Sequence, residues 1–158
     1  MGGMTDLAPV ETGYKNVLRV RLAIVWLVLS GAGLLVHRAL HDPGGPSLAL
    51  PIATLIIGCL VVAIAPQRIY GRLRYGVGDR FLEVARGWLF HSDTVVPLVR
   101  VQHLDVVRGP LDKLFGTARL VLHTAGTHNS TVTVPGLAPE RAAAMRDTIR
   151  EHVRSDFA

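Results

Sequence analysis

Two uncharged apolar stretches near the start of the chain constrain its fold more than any other feature. Residues 22–36 are 15 residues without a charge, and residues 47–65 are 19. A helix needs roughly 20 apolar residues to cross about 30 Å of hydrocarbon, so the second stretch almost suffices alone. The first suffices if it begins at Val17 and the charges of Arg19 and Arg21 extend toward the headgroups. We predict a transmembrane hairpin over residues 17–66, with spans 17–36 and 47–65 and an outer loop 37–46.

The positive charge of the chain is concentrated beside the two stretches. Of 17 lysines and arginines, six flank the outer ends of the hairpin, whereas the loop between the spans contains only Arg38. These six residues are Lys15, Arg19, Arg21, Arg68, Arg72 and Arg74. Positive residues accumulate on the cytoplasmic side of membrane proteins, which places both termini in the cytoplasm of a multi-pass protein of a bacterial cytoplasmic membrane. Topology and attraction to anionic lipid explain much of the net charge of +5, so we expect no nucleic-acid partner.

The hairpin divides the chain into three parts. We expect residues 1–16 to form a flexible cytoplasmic leader and residues 67–158 to form one cytoplasmic domain. A cleaved signal peptide is the alternative for the first span, but no convincing cleavage site follows it. Small residues in both spans could pack the spans together or contact another protein, and the sequence leaves both options open.

After Pro66 the apolar pattern changes to alternation over short segments, which is typical of antiparallel strands. Six or seven strands are predicted, at residues 73–77, 81–86, 88–90, 94–98, 101–108, 119–123 and 131–134. A helix is predicted from Pro139 to Val153, because the apolar residues Ala142, Met145, Ile149 and Val153 follow helical spacing. The fold class is therefore α+β: a two-helix transmembrane hairpin, then an antiparallel sandwich or open barrel with a C-terminal helix.

Five short segments of this domain resemble the bacterial pleckstrin-homology (PH) domain of YdbS-like membrane proteins. They are Gly-Asp-Arg-Phe-Leu at 78–82, Arg-Gly-Trp-Leu at 86–89, Val-Pro-Leu-Val-Arg-Val-Gln at 96–102, Pro-Leu-Asp-Lys-Leu-Phe-Gly at 110–116 and Leu-Ala-Pro-Glu at 137–140. The third and fourth segments are fairly specific in combination. The resemblance implies a PH-like fold directly after two transmembrane helices. It also implies no catalytic residues, no cofactor, and in some cases a larger membrane-protein partner with repeated domains of the same kind.

The chemistry-bearing residues do not form a recognised catalytic or metal motif. Cys59 is the single cysteine and lies in the second span, which excludes an intramolecular disulfide and a cysteine-based zinc site. His103 and Asp105 should share a strand face, but neither HxxxH nor HExxH occurs. Neither span contains an ionisable residue between positions 22 and 36 or 47 and 65, which argues against a transporter or channel. We therefore expect no enzyme, no cofactor and no metal.

The candidate interaction residues are basic or apolar. The strongest are the arginines that must lie at the inner leaflet, namely Arg68, Arg72 and Arg74. Two weaker groups of candidates follow. An apolar cluster could bind a partner or could fill one end of the sheets, and a row of arginines could bind a partner or could be a solvated helix face. These are Leu111, Leu114 and Phe115, and Arg146, Arg150 and Arg154.

The leading hypothesis is a non-enzymatic, membrane-anchored interaction module that binds a membrane-protein partner or a second copy of itself through its PH-like domain. The alternative is a sensor of anionic lipid at the inner leaflet. A role in envelope stress or antimicrobial resistance is suggested only by the kind of family that the chain resembles.

Overall fold

The computed structural model describes residues 7–40, 49–78, 80–88, 90–125 and 131–156. Most of the predicted outer loop and position 79 of the predicted Gly-Asp turn lie outside these residues. In chain order the elements are β1 (Ala8–Pro9), α1 (Gly13–Leu40), α2 (Ala49–Arg72), β2 (Arg74–Val77), β3 (Phe81–Gly87), β4 (His91–Pro97), a 3-10 helix (Leu98–Arg100), β5 (Val101–Val107), α3 (Pro110–Leu114), β6 (Ala118–Thr124), β7 (Thr131–Leu137) and α4 (Pro139–Asp156).

The strands form two antiparallel sheets. One has the order β1-β2-β3-β4 and the other the order β5-β6-β7, and they are not closed into a barrel. Alternate residues of each strand enter the core, so that Leu82 lies opposite Val96 and Leu122 lies opposite Val132. Helix α4 packs against β5 and β6. The predicted PH-like sandwich with a C-terminal helix is confirmed.

The apolar stripe of α4 makes the contact with the sheets, as the sequence predicts. Ala142 and Ile149 are fully buried, Met145 is buried, and Val153 packs against the same core. The spacing of three and four residues places these side chains on one helix face, and that face closes one end of the sandwich. The helix continues to Asp156, one turn beyond the predicted end at Val153.

The N-terminal segment belongs to the domain, which corrects the expectation of a flexible leader over residues 8–16. Ala8 and Pro9 pair with β2, and the Glu11 amide donates a hydrogen bond to the Gly136 carbonyl at 2.7 Å. Val10 and Tyr14 are buried in the domain core. Although the segment is mostly polar, its few apolar side chains fill space in the domain core and hold it against the sheets. Residues 1–6 lie outside the described part of the chain.

Both long helices extend into the domain. Val17, placed by the sequence at the start of the first span, has 0% exposure and lies in the domain core. Helix α2 continues through the buried Pro66 to Arg72, where the sequence suggested a change to strands. Removal of α1 as a signal peptide would also remove Tyr14 and Val17 from the core, so the structure argues against cleavage.

The connection between β3 and β4 differs from the predicted strand at residues 88–90. Gly87 pairs with His91, so Trp88 and Phe90 lie in the turn that joins the two strands. The alternation of Trp88 and Phe90 resembles that of a strand, but the hairpin register makes them its tip. We call this turn, with Trp88 and Phe90, the aromatic turn.

Candidate membrane-surface site

The surface of α1 and α2 is apolar around most of its circumference. Both helices are long and apolar enough to cross a membrane. Their large aliphatic side chains are exposed, among them Ile24, Leu27, Val28, Leu35, Ile52, Leu55, Ile56 and Leu60. A core helix of a water-soluble protein would bury such residues, whereas lipid tails solvate them. The exposed aliphatic surfaces of α1 and α2 are thus those of two candidate membrane spans.

The two helices pack antiparallel at a glycine. The Cβ that a larger residue would add at Gly58 would lie 3.1 Å from the indole of Trp26, so the ring covers this position closely. Gly31 and Gly33 have no atom within 4 Å of the corresponding point, so these two do not contribute to the contact with α2. The structure therefore assigns Gly58 to the helix–helix contact and leaves Gly31 and Gly33 on an open face.

The three strongest sequence candidates lie together where α2 enters the domain. Arg68 and Arg72 are on the last turns of α2, Arg74 begins β2, and all three are exposed. The charged segment begins three residues after Ala65, the last residue of the uncharged stretch. At 1.5 Å per residue, Arg68 lies about 4.5 Å along the helix beyond that point. The arginines are thus close to the domain-proximal boundary of the apolar surface.

A hydrogen bond joins the aromatic turn to the same place. Arg72 donates from Nη1 to the carbonyl of Trp88 at 2.9 Å. Phe90 is 86% exposed and Trp88 is 40% exposed, although exposed aromatic side chains of this size are unfavourable in water. Tryptophan is enriched where lipid headgroups meet the hydrocarbon, and phenylalanine is common on the apolar face of segments that lie in this interface. The aromatic turn therefore extends the basic end of α2 into a mixed basic and aromatic surface.

The segment Pro-Leu-Asp-Lys-Leu-Phe-Gly contains a buried carboxylate whose role the sequence did not show. Asp112 is 2% exposed and accepts hydrogen bonds from the Gly109 amide at 3.0 Å, from Thr117 Oγ1 at 3.2 Å and from Arg119. Burial by itself would raise the pKa of Asp112, but the hydrogen bonds and the charge of Arg119 outweigh it and lower the pKa below its usual value. Asp112 thus caps the N-terminus of α3 through the Gly109 amide and fixes the position of Arg119 on β6.

The weaker candidates are divided by the structure. Leu111 and Phe115 pack against the core, whereas Leu114 is 72% exposed. Arg146 forms an ion pair with Asp147 at 2.8 Å, and Arg150 and Arg154 are exposed on α4. None of these residues lines the surface formed by Arg72 and the aromatic turn, and their proposed interaction role remains a prediction.

A histidine pair lies on the outer face of β5 and β6. The Asp105 carboxylate is 3.0 Å from His103 Nε2 and 3.5 Å from His123 Nε2, and the two imidazole rings are 5.9 Å apart. The sequence paired His103 with Asp105 but did not identify His123, which the strand register places opposite His103. Among the described residues, no group of three or more His, Cys, Asp or Glu side chains is arranged to hold a metal ion.

Comparison with known proteins agrees with this architecture. A family model described as a bacterial PH domain matches residues 18–153. The UPF0699 transmembrane protein YdbS of Bacillus subtilis (strain 168) is 30% identical over 133 residues, which cover 84% of this chain and 82% of the relative. No solved structure matches the chain significantly.

Proposed function

This chain belongs to the bacterial PH domain family, and from that premise we propose that it is a non-enzymatic, membrane-anchored module that senses anionic lipid. Its PH-like domain rests on the cytoplasmic leaflet of a bacterial cytoplasmic membrane, and both termini are cytoplasmic. The observation that carries the proposal is the hydrogen bond between Arg72 and Trp88, because it holds an exposed aromatic turn beside the basic end of a candidate span.

The charges and the apolar side chains act together at this surface. Each basic residue near an anionic leaflet gains about 1 kcal/mol, so Arg68, Arg72 and Arg74 together contribute about 3 kcal/mol. Trp88 and Phe90 add apolar area that leaves water when the turn enters the interface. The contribution of the arginines is screened by salt and depends on the lipid charge. The contribution of the aromatic side chains depends on neither. Lipid composition can therefore alter how firmly the domain rests on the membrane.

The aromatic turn can be tested by fluorescence quenching in vesicles that contain brominated lipids. In the full-length Trp26→Phe variant, Trp88 is the remaining tryptophan. We expect strong quenching of Trp88 in vesicles rich in phosphatidylglycerol, and weaker quenching when phosphatidylcholine replaces it or the salt concentration rises. Unquenched Trp88 in the anionic vesicles would contradict the proposal.

The matched control moves the reporter to the other end of the same strand. Phe81 is an exposed aromatic residue that begins β3, six positions before Gly87. This distance is about 20 Å along an extended strand. In a protein that lacks Trp26 and Trp88, Phe81→Trp should remain unquenched in the same vesicles.

The proposed orientation has its own test. A cysteine placed at Glu140, which is exposed on α4, should resist a membrane-impermeant thiol reagent in intact cells after Cys59→Ala removes the native thiol. A cysteine placed at Gly44, in the predicted outer loop, should react. The reverse pattern would place the domain outside the cell.

Partner binding is a second candidate function, and the outer face of the first sheet supports it. Phe81 and Val95 are exposed, and the register of β3 and β4 places them on one face as diagonal neighbours. We propose that this face contacts a membrane-protein partner, such as a larger protein with repeated PH domains, or a second copy of the chain. Strand β4 is also an edge strand of its sheet. Exposed apolar residues beside an open strand edge are typical of interaction surfaces.

Crosslinking in intact cells followed by gentle solubilisation tests the second candidate. Phe81→Ser combined with Val95→Thr should abolish a crosslinked species that the unaltered protein forms. Val107→Thr, an exposed valine on the other sheet, is the control and should leave the species unchanged. A protein that stays monomeric and without a partner would contradict this function but leave lipid sensing intact.

A further inference from the structure

An open cavity of about 450 Å³ lies where the long helices meet both sheets. Its lining combines Tyr14 and Arg21 of α1, Arg86 of β3, Arg119 of β6 and the aromatic turn. A volume of this size accommodates a small ligand or a headgroup with its glycerol. Because six helices and strands from distant parts of the chain contribute to it, namely α1, α2, β3, β4, β6 and β7, the cavity exists only in the folded domain.

The cavity is positively charged. Among the residues that the structure describes, three arginines and no acidic residue line it, and Arg21, Arg86 and Arg119 all act electrostatically on the hydroxyl of Tyr14. Arg119 is neutralised by the buried Asp112. Arg86 donates a hydrogen bond to the neutral Thr133 carbonyl. Among the described carboxylates, none lies within ion-pairing distance of Arg21 or Arg86. Two uncompensated guanidinium charges therefore face one cavity, which favours an anion.

The position of the cavity relative to the two candidate spans indicates that the anion belongs to a lipid headgroup. Arg21 is the last charged residue before the uncharged stretch 22–36. On the other helix, the lining residue Ile69 is four residues beyond Ala65, or about 6 Å along the axis. Trp88 and Phe90 also line the cavity and add apolar surface to it. A ligand there would lie at headgroup depth, with its apolar portion able to remain among the lipid tails.

We propose that this cavity binds the phosphate of an anionic glycerophospholipid, with Arg21 and Arg86 as the ligands and Arg119 held beside them by Asp112. The guanidinium group presents a planar fork of N–H donors that matches the oxygens of a phosphate. A phosphomonoester carries up to two negative charges near neutral pH, which equals the number of uncompensated arginines, whereas a phosphodiester carries one. The cavity should therefore prefer phosphatidic acid to phosphatidylglycerol.

This inference rests on the proposed lipid-sensing function and makes it specific. The surface arginines Arg68 and Arg74 respond to any anionic leaflet, and neither lines the cavity. Arg21 and Arg86 would respond to the phosphate itself. Replacing one group of arginines should therefore affect the binding of the same lipids differently from replacing the other.

Native mass spectrometry of the full-length protein in a neutral detergent tests the proposal. The protein is incubated with equal amounts of phosphatidic acid, phosphatidylglycerol and phosphatidylcholine, and the lipids that remain bound are counted. We expect phosphatidic acid to be retained about tenfold more than phosphatidylglycerol. Arg21→Gln and Arg86→Gln should each lower the retention of phosphatidic acid about tenfold, because each removes one charged hydrogen-bonding group. Arg86→Lys, which keeps the charge without the fork, should restore part of it.

Arg68→Gln combined with Arg74→Gln is the comparison variant: it should lower the retention of both anionic lipids alike and leave the ratio of phosphatidic acid to phosphatidylglycerol unchanged, because neither residue lines the cavity. Inorganic phosphate at millimolar concentration is added in a further arm. If phosphate displaces phosphatidic acid completely, the source of the ligand is soluble and the lipid assignment is overturned. Arg21 is exposed and forms no ion pair with a described residue, so Arg21→Gln should fold normally, and circular dichroism checks this.

The outcomes separate the inference from the proposed function. If Trp88 still enters anionic bilayers but phosphatidic acid binds equally to unaltered protein and Arg21→Gln, the cavity assignment is wrong and lipid sensing stands. If Trp88 is unquenched and no lipid is retained, both are wrong.

Discussion

Replacement of Gly136 by alanine is expected to destabilise the domain by two separable effects. Gly136 has a φ of +74°, a conformation that costs a residue with a Cβ about 1–2 kcal/mol. The added Cβ would also lie 2.7 Å from Cγ and 2.8 Å from Cβ of Tyr14. Forcing an extra methyl group into a packed core typically costs about 1–3 kcal/mol. We therefore expect Gly136→Ala to lower the free energy of unfolding by about 2–5 kcal/mol.

Gly116→Ala is the matched control because it isolates the backbone effect. Its φ is +64°, and no atom lies within 4 Å of the Cβ that alanine would add. The expected loss is therefore about 1–2 kcal/mol, from conformation alone. The difference between the two variants measures how closely the N-terminal segment packs into the domain.

Thermal unfolding of the purified protein in detergent micelles, followed by tryptophan fluorescence, measures both variants. Each kcal/mol should lower the midpoint by about 4–8 °C for a folded unit of about 100 residues. A double-mutant cycle with Tyr14→Ala should show that Gly136→Ala is less damaging once the ring is absent, because Cγ is then removed. Equal midpoints for Gly116→Ala and Gly136→Ala, or strict additivity in the cycle, would refute the close packing of Tyr14 on β7.

Three further predictions concern the buried carboxylate and the helix contact. Asp112→Asn should destabilise the domain by about 2–3 kcal/mol in chemical denaturation, because Arg119 loses its charged partner. Asp147→Asn is the control: it removes an exposed ion pair and should change the stability by less than about 1 kcal/mol. Because the pKa of Asp112 is lowered on folding, its contribution should be present above about pH 4 and should decrease as the pH falls toward the lowered value. The difference in stability between the unaltered protein and Asp112→Asn should therefore shrink from about pH 7 to about pH 2, and a difference that does not shrink would contradict this. Gly58→Leu should separate α1 from α2, because the leucine side chain would displace Trp26, whereas Gly33→Leu should be tolerated. In micelles, a protease should therefore digest the Gly58→Leu variant faster than the Gly33→Leu variant. Equal resistance of the two variants to the protease would argue against the helix contact.

Elements with local signals could be predicted from the sequence. Nineteen uncharged residues predict a span by length, alternation predicts strands, and the spacing from Ala142 to Val153 predicts an amphipathic helix with its buried face. Each of these patterns repeats within one element, so neighbouring residues are enough to reveal it. The segments at 96–102 and 110–116 likewise predicted the family because they are continuous in sequence.

The packing of distant segments against each other could be seen in the fold but not in the sequence. The segment containing Val10 and Tyr14 resembles a polar leader, yet it completes the core because Gly136 leaves room for the aromatic ring. Arg21, Arg86 and Arg119 lie on α1, β3 and β6, and no spacing along the chain places them at one cavity. Strand register and helix packing are set by the whole core, and for that reason the candidate lipid-phosphate site is visible only in the fold.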